Sequence, residues 1–161
     1  MARSGIFAPG GGAFGFAPQA GQQFLQRADA HWIELAEFQH APVGAVPEGL
    51  LQEHFKVQTK SLCFCGHTHV PTVWHLSNTG NIKSWRGHGR IELPAGGKTL
   101  VNVGSVGQPR DLCSAACYAI CDPQARWVEF RRVAYDIAKA RRKIVRAQLP
   151  RYTAQRLSLG R

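Results

Sequence analysis

Apolar positions along the chain fall into short runs separated by glycine, proline and asparagine, and the spacing inside each run predicts its element. In residues 24–37, Leu25, Ala28, Trp32 and Leu35 recur at steps of three, four and three, one face of a helix. A shorter helix is expected over residues 48–55, after a loop containing Pro42, Gly44 and Pro47. Residues 62–65 form a continuous apolar run ending at Gly66, which reads as a buried strand emptying into a tight loop. Residues 72–76 alternate, and the turn-forming residues 77–81 follow, so a hairpin is expected there. Residues 98–103 predict a second buried strand. Residues 116–121 and 127–133 predict a further strand pair around Asp122-Pro123-Gln124. Val133, Ile137, Ala140, Ile144 and Ala147 then step by four, three, four and three. This stripe predicts a helix docked on the sheet, with Asp136 near its start and Pro150 at its end.

Composition adds limits to this pattern. With 161 residues, 44% hydrophobic and 19% charged, the chain is in the size range of one globular domain with a real core. Residues 1–22, rich in Gly, Ala, Phe and Pro without period, read as a flexible leader. Pro9 and the glycines around it interrupt the apolar stretch that a secretory signal needs. No run approaches the length needed to cross a membrane, and five cysteines, an odd set, favour reduced thiols in a cytoplasmic setting. The net charge of +10 is concentrated in residues 126–161, where eleven Lys and Arg face only Glu129 and Asp136.

The sharpest chemistry is Cys63-Phe64-Cys65-Gly66-His67-Thr68-His69-Val70-Pro71. Neutral imidazole is a common ligand of divalent transition metals, and Gly66 lets the backbone turn so that two histidines one residue apart reach neighbouring positions. Downstream, Asn102-Val103-Gly104-Ser105-Val106-Gly107-Gln108-Pro109-Arg110-Asp111 follows a strand. Its glycines allow backbone amides near an anion, Ser105 adds a hydroxyl, and Arg110 offers a forked phosphate donor. The purely structural alternative is a Gly-Ser turn at a sheet edge with Arg110 and Asp111 pinning it.

Gly66-His67-Thr68-His69 at the end of a strand resembles the last metal motif of the calcineurin-like metallophosphoesterases. The Asn102 to Asp111 segment resembles the loop that follows it in their small bacterial and archaeal phosphodiesterase-like branch. The closing Leu149-Pro150 through Leu157 and Gly160 resembles that family's C-terminal helix, so the likeness covers about the last three-fifths of the chain. It implies an α/β layered sandwich and metal-dependent phosphoester hydrolysis, with His67 and His69 divided between two metals and Ser105 and Arg110 contacting substrate. Mn is the metal expected first, with Fe, Zn or Ni as alternatives. A phosphoester small molecule or a phosphoprotein is the expected substrate, and no membrane is expected.

The family's upstream motifs are missing in strand context. Asp29-Ala30-His31 has the letters of the first motif but falls in the segment predicted helical. His40-Ala41-Pro42 lacks the glycine of the family's His-Gly-x-Pro loop, leaving His40 either a degenerate ligand or a loop histidine. No Gly-Asp-x-x or Gly-Asn-His-Asp precedes Leu62. The chain therefore reads as a leader (1–22), a helical segment of uncertain affiliation (23–61) and the C-terminal part of a metallophosphoesterase-like domain (62–161), apparently lacking the N-terminal half. Uncovered strand edges would recruit that half or a second copy.

Three other readings compete. A structural zinc on Cys63, Cys65, His67 and His69 is disfavoured because alternate residues of a strand lie about 6.6 Å apart, and zinc thiolates must lie about 3.8 Å apart. A non-catalytic module binding nucleic acid through Arg131, Arg132, Lys139, Arg141, Arg142, Lys143 and Arg146 has the charge but no groove-reading motif. An inactive structural remnant is the remaining alternative.

Overall fold

The computed structural model describes residues 30–32 and 46–161. The expected leader, most of the segment predicted helical over 24–37, and His40 lie outside the described residues. Eight strands and three helices follow in order: β1 (Ala30–Trp32), α1 (Glu48–Val57), β2 (Leu62–Cys65), β3 (Thr72–Leu76), β4 (Ile82–Arg86), β5 (Gly89–Glu92), β6 (Lys98–Asn102), β7 (Ala116–Asp122), β8 (Trp127–Val133), α2 (Ile137–Arg146) and α3 (Arg151–Leu159).

Five strands form a mixed sheet in the order β1-β2-β6-β3-β4. β2 lies between β1 and β6 and is parallel to both, with Ala30 opposite Leu62 and Cys65 opposite Asn102. A strand in that position is covered on both faces, which is why Leu62–Cys65 is apolar throughout and fully buried. β3 runs antiparallel to β6 and turns back through residues 77–81 into β4, the expected hairpin. The second sheet, β5-β8-β7, is antiparallel.

Side chains alternate across these strands and so divide the core into two layers. Leu62, Phe64, Val73 and Val101 meet Leu93, Cys117, Val128 and Phe130 between the two sheets. On the opposite face Cys63, Cys65, Trp74 and Leu100 pack under Leu51 and Phe55 of α1. Burying a side chain such as Phe55 stabilises by about 1.5–3 kcal/mol, so α1 is fixed by that face more than by its own propensity. Its C-terminal end is tied down twice. Lys98 Nζ donates to the Phe55 carbonyl (2.7 Å), and the buried Gln58 side chain donates to the carbonyls of Lys60 (2.7 Å) and Thr99 (3.1 Å).

Two expectations need correction. Ala30–Trp32 is a strand and not helix, because pairing with β2 satisfies its backbone and outweighs a short 3.6-residue apolar pattern. β5, for which no strand was expected, has a half-exposed Gly-Arg-Ile-Glu sequence that carries little strand signal. The C-terminal stripe does not dock on the sheet as a buried helix face. Val133 belongs to β8, no residue of α2 is buried, and α2 packs against α3, where Ala154 and Leu157 are buried. Asp136 caps α2 as expected, accepting from the Lys139 amide (2.7 Å).

Burial pushes the imidazoles of His54 and His75 below the ordinary histidine value of 6.5, with the nearby Lys98 and Lys83 charges adding to the effect. Both rings are neutral in folded and unfolded chains above that value. Below it the unfolded chain binds protons that the folded chain resists, so stability is lost as pH falls from about 6.5. Thermal melts followed by circular dichroism are expected to show the midpoint dropping between pH 7.5 and 5.5, and His54→Gln with His75→Gln should flatten that dependence. A midpoint independent of pH over this range is the contrary result.

Candidate metal centre

The parallel pairing of β2 with β6 brings their carboxyl ends to one sheet edge, the usual place for a ligand crevice in α/β folds. β2 empties there into Gly66-His67-Thr68-His69, and β6 into Val103-Gly104-Ser105. His67 and His69 both hold left-handed backbone, φ 72° and 60°, a conformation that costs a residue other than glycine of order 1–3 kcal/mol. Two such residues within three positions require firm support. Asn102, completely buried, supplies much of it: its Nδ2 donates to the Gly66 carbonyl (2.7 Å) and Thr68 Oγ1 (2.9 Å), and its Oδ1 accepts from the Gly104 amide (3.0 Å). Gly104, at φ 79°, passes so close to Cys117 that a Cβ there would lie 2.9 Å from its sulfur.

The two imidazoles differ in setting. His67 is exposed, whereas His69 is half-buried with Nδ1 2.7 Å from the Gln108 carbonyl. A carbonyl only accepts, so Nδ1 carries the proton and Nε2 keeps its lone pair. Burial lowers the His69 pKa, the Gln108 carbonyl opposes this, and Arg110, His67 and Arg156 lower it further, leaving a neutral ring at pH 7. A histidine held by its rear nitrogen on a backbone carbonyl is arranged as metal-ligating histidines are.

Ser105 and Arg110 lie on the facing loop. Ser105 Oγ accepts from the Gln108 amide (2.9 Å), and the Ser105 carbonyl accepts from the Cys117 amide (2.9 Å), so this residue shapes the turn that aims the Gln108 carbonyl at His69. Arg110 donates from Nη2 to Gln108 Oε1 (2.8 Å), while its Nε is buried with no hydrogen-bond partner. Arg110 and Asp111 both hold the loop: Asp111 pairs with Arg132, and the Arg110 amide donates to the His69 carbonyl (3.3 Å).

His67 and His69 fit part of a divalent-metal shell. Among the described residues no group of three or more His, Cys, Asp and Glu side chains comes together, so these residues do not fit a complete dinuclear centre. Asp29, of the Asp-x-His letters, lies outside the described residues; the helical context assigned to that motif does not hold, since His31 sits in β1 opposite Cys63. The four-ligand zinc alternative fails on geometry: Cys63 and Cys65 face the α1 layer, and burial pushes the Cys65 thiol up to about 12. All five cysteines are thiols outside any disulfide. His75 is a buried ring bonded through Nδ1 to Thr99 Oγ1 (2.9 Å), and His88 is exposed. Asn102, Gln108 and Arg156 carried no assigned role in the sequence reading. A polar residue closing an apolar strand was the one available signal, and it belongs to Asn102.

No family model matches the chain. An uncharacterized protein of Methanocaldococcus jannaschii is 46% identical over 100 residues, which is 62% of this chain and 40% of that protein. Among solved structures, a metallophosphoesterase from Sphaerobacter thermophilus superposes with a TM-score of 0.68 at 28% identity, covering 86% of this chain and 62% of its own length. A hypothetical protein from Pyrococcus horikoshii OT3 gives a TM-score of 0.53 at 17% identity, with 74% of this chain and 40% of that one covered. The chain thus spans between two-fifths and about three-fifths of the length of these relatives. Its two sheets, its helices and its likeness to the Sphaerobacter enzyme agree: the C-terminal portion of this chain has a metallophosphoesterase-like fold.

Proposed function

We propose that this chain carries the histidine half of a metal-dependent phosphoester hydrolase site, of phosphodiesterase or phosphatase type. The observation that carries the reading is His69, a neutral imidazole fixed through Nδ1 by a backbone carbonyl, on a strained loop at the carboxyl edge of a parallel strand pair. His67 and His69 would donate ring lone pairs to divalent metal, Mn in the first instance and Fe, Zn or Ni otherwise. Such metals supply Lewis acidity toward phosphoryl oxygens and a hydroxide nucleophile at neutral pH. Gln108 keeps His69 in its ligating tautomer, Ser105 holds Gln108, and Arg110 presents forked donors to the non-bridging oxygens of a phosphoester.

The substrate side stays at the level of class: nucleotide, phosphodiester or phosphoprotein. Carboxylates for a dinuclear shell would come from outside the described residues. Nucleic-acid binding by the basic tail is the weaker reading, since Arg132 is committed to Asp111 and Arg131 to Glu129. No helix among the described residues is long and apolar enough to cross a membrane. The test is hydrolysis of an aryl phosphodiester and an aryl phosphomonoester with Mn²⁺, by the chain alone and after mixing with the upstream segment of a full-length relative. Near-background turnover alone and a gain on mixing are expected. No gain with either substrate, despite formation of the complex, counts against the reading.

A further inference from the structure

β4, β5 and β7 each end a sheet among the described residues, and they differ in how the open side is protected. β4 carries Lys83 and Arg86, and β5 is four residues long with Arg90 and Glu92, the short and charged character that keeps an edge from pairing with another chain. β7 has neither protection. Its seven residues hold no proline and no charge before Asp122, and Tyr118 and Ile120 are 41% and 40% exposed. β7 pairs with β8 alone, and the Cys117 amide points away from β8, since it donates to the Ser105 carbonyl (2.9 Å). Backbone direction alternates along a strand, so the amides and carbonyls of Ala119 and Cys121 point to that same open side, where no described residue meets them.

We propose that β7 is the contact of a two-fold homodimer, in which the β7 edges of two copies pair antiparallel about an axis at Ile120 and join their three-stranded sheets into one. The register follows from the free groups. An axis at Ile120 sets Ala119 opposite the partner's Cys121 and Cys121 opposite the partner's Ala119, so each pair exchanges both of its hydrogen bonds and every free group of these residues is used. An axis at Ala119 would set Cys121 against Cys117, whose amide is already taken, and an axis at Cys121 would set Ala119 against Pro123, which has no amide. With the axis at Ile120 those two residues fall opposite each other and end the pairing with no amide left over. Ala119 and Cys121 face the core between the sheets, so Ile120 lies on the outer face and packs on its own copy, a close cross-strand pair of β-branched side chains. The charges fit as well. Asp122, the one charged residue of β7, meets the partner's Tyr118, which stands beside Arg131 on β8, and not another carboxylate. A second copy supplies this pattern by symmetry, which singles it out as the occupant. The partner's turn at Pro123 then lies against the Ser105 loop, so the interface borders the candidate metal centre.

The dimer stands apart from the hydrolase reading, and its test needs neither metal nor turnover. Sedimentation equilibrium of the full chain, with a reductant present and protein from about 5 to 300 µM, is expected to show a concentration-dependent equilibrium between one and two chain masses. Ile120→Lys and Ile120→Glu each set like charges against each other across the axis and should weaken association about tenfold or more. An equimolar mixture of these two variants should recover it, because unlike charges then face each other. Ser84→Lys, on the exposed edge of β4, should change the affinity less than about twofold. Ala119→Pro removes one free amide from each copy and should also weaken the dimer; it carries the test if circular dichroism shows the charged variants misfolded. A chain that stays monomeric over the whole range would overturn the proposal, as would an affinity unmoved by Ile120→Lys or by Ala119→Pro. So would an equal loss in Ser84→Lys, or a mixture of the charged variants that associates no better than either alone. Displacement of the second copy by the upstream segment of a full-length relative would give the edge to that segment instead.

Discussion

Asn102→Ala is expected to destabilise the chain by about 3–5 kcal/mol, read from urea unfolding midpoints at constant m-value. The side chain is completely buried at the end of β6 and serves three partners: the Gly66 carbonyl, Thr68 Oγ1 and the Gly104 amide. Alanine leaves the buried Gly104 amide without its acceptor, at a cost of order 1–3 kcal/mol, and removes one hydrogen bond each from the Gly66 carbonyl and Thr68 Oγ1, which keep the Thr68 and Val70 amides, at about 0.5–1.5 kcal/mol apiece; partial relaxation keeps the total below a full sum. Because Asn102 supports the loop that holds His67 and His69 in left-handed backbone, weaker metal retention should accompany the loss. Asn102→Asp keeps the acceptor toward Gly104 but directs a carboxylate oxygen at the Gly66 carbonyl, so it should be no better than alanine near neutral pH. A loss under about 1 kcal/mol for Asn102→Ala would mean that the loops do not depend on this link.

How far this was visible in the sequence depended on how locally each feature is encoded. β2 is covered on both faces and appears as an apolar run ended by Gly66, β6 carries Leu100 and Val101 ahead of Gly104, and β8 begins and ends where its pattern does. β5 is half-exposed with a glycine and two charges in four residues, and its strand state comes from pairing with β8. β1 shows the same dependence on a partner, since three residues beside β2 override a helical spacing. The α2 stripe was legible as a helix, but its destination was not. Periodicity marks an apolar face without saying whether a sheet or another helix covers it.

The site divides in the same way. The histidine letters were legible because side-chain identity carries metal chemistry. The carbonyl of Gln108 acts through the main chain and left no mark, and the docking of Gly160 on residues 112 and 113 is likewise a main-chain contact. Ser105 was read as a substrate contact from its place in a Gly-Ser loop. The hydrogen bond from the Gln108 amide gives that hydroxyl a structural task, through the turn whose Gln108 carbonyl holds His69 Nδ1.

These links grade the expected losses at the metal site. His67→Ala and His69→Ala should each abolish the Mn²⁺-dependent hydrolysis gained on mixing with an upstream segment, and each should weaken Mn²⁺ binding about a hundredfold or more. Removing even a partner that only orients a metal-bound histidine typically costs about 10–100-fold, and removing the ligand itself costs no less. Ser105→Ala frees the Gln108 amide and loosens the carbonyl that holds His69 Nδ1, so a smaller loss of about tenfold is expected, with the fold retained. His75→Ala is the control for histidine loss as such. Its ring lies inside the sheet against Thr99, and it should lower stability without selectively lowering metal affinity in the folded fraction. Manganese binding followed by electron paramagnetic resonance reads the metal term without turnover, and circular dichroism reads the fold. Retained metal affinity and full hydrolysis in both His67→Ala and His69→Ala would remove these residues from the site. Equal losses in His75→Ala would show that the histidine effects come from unfolding and not from ligation.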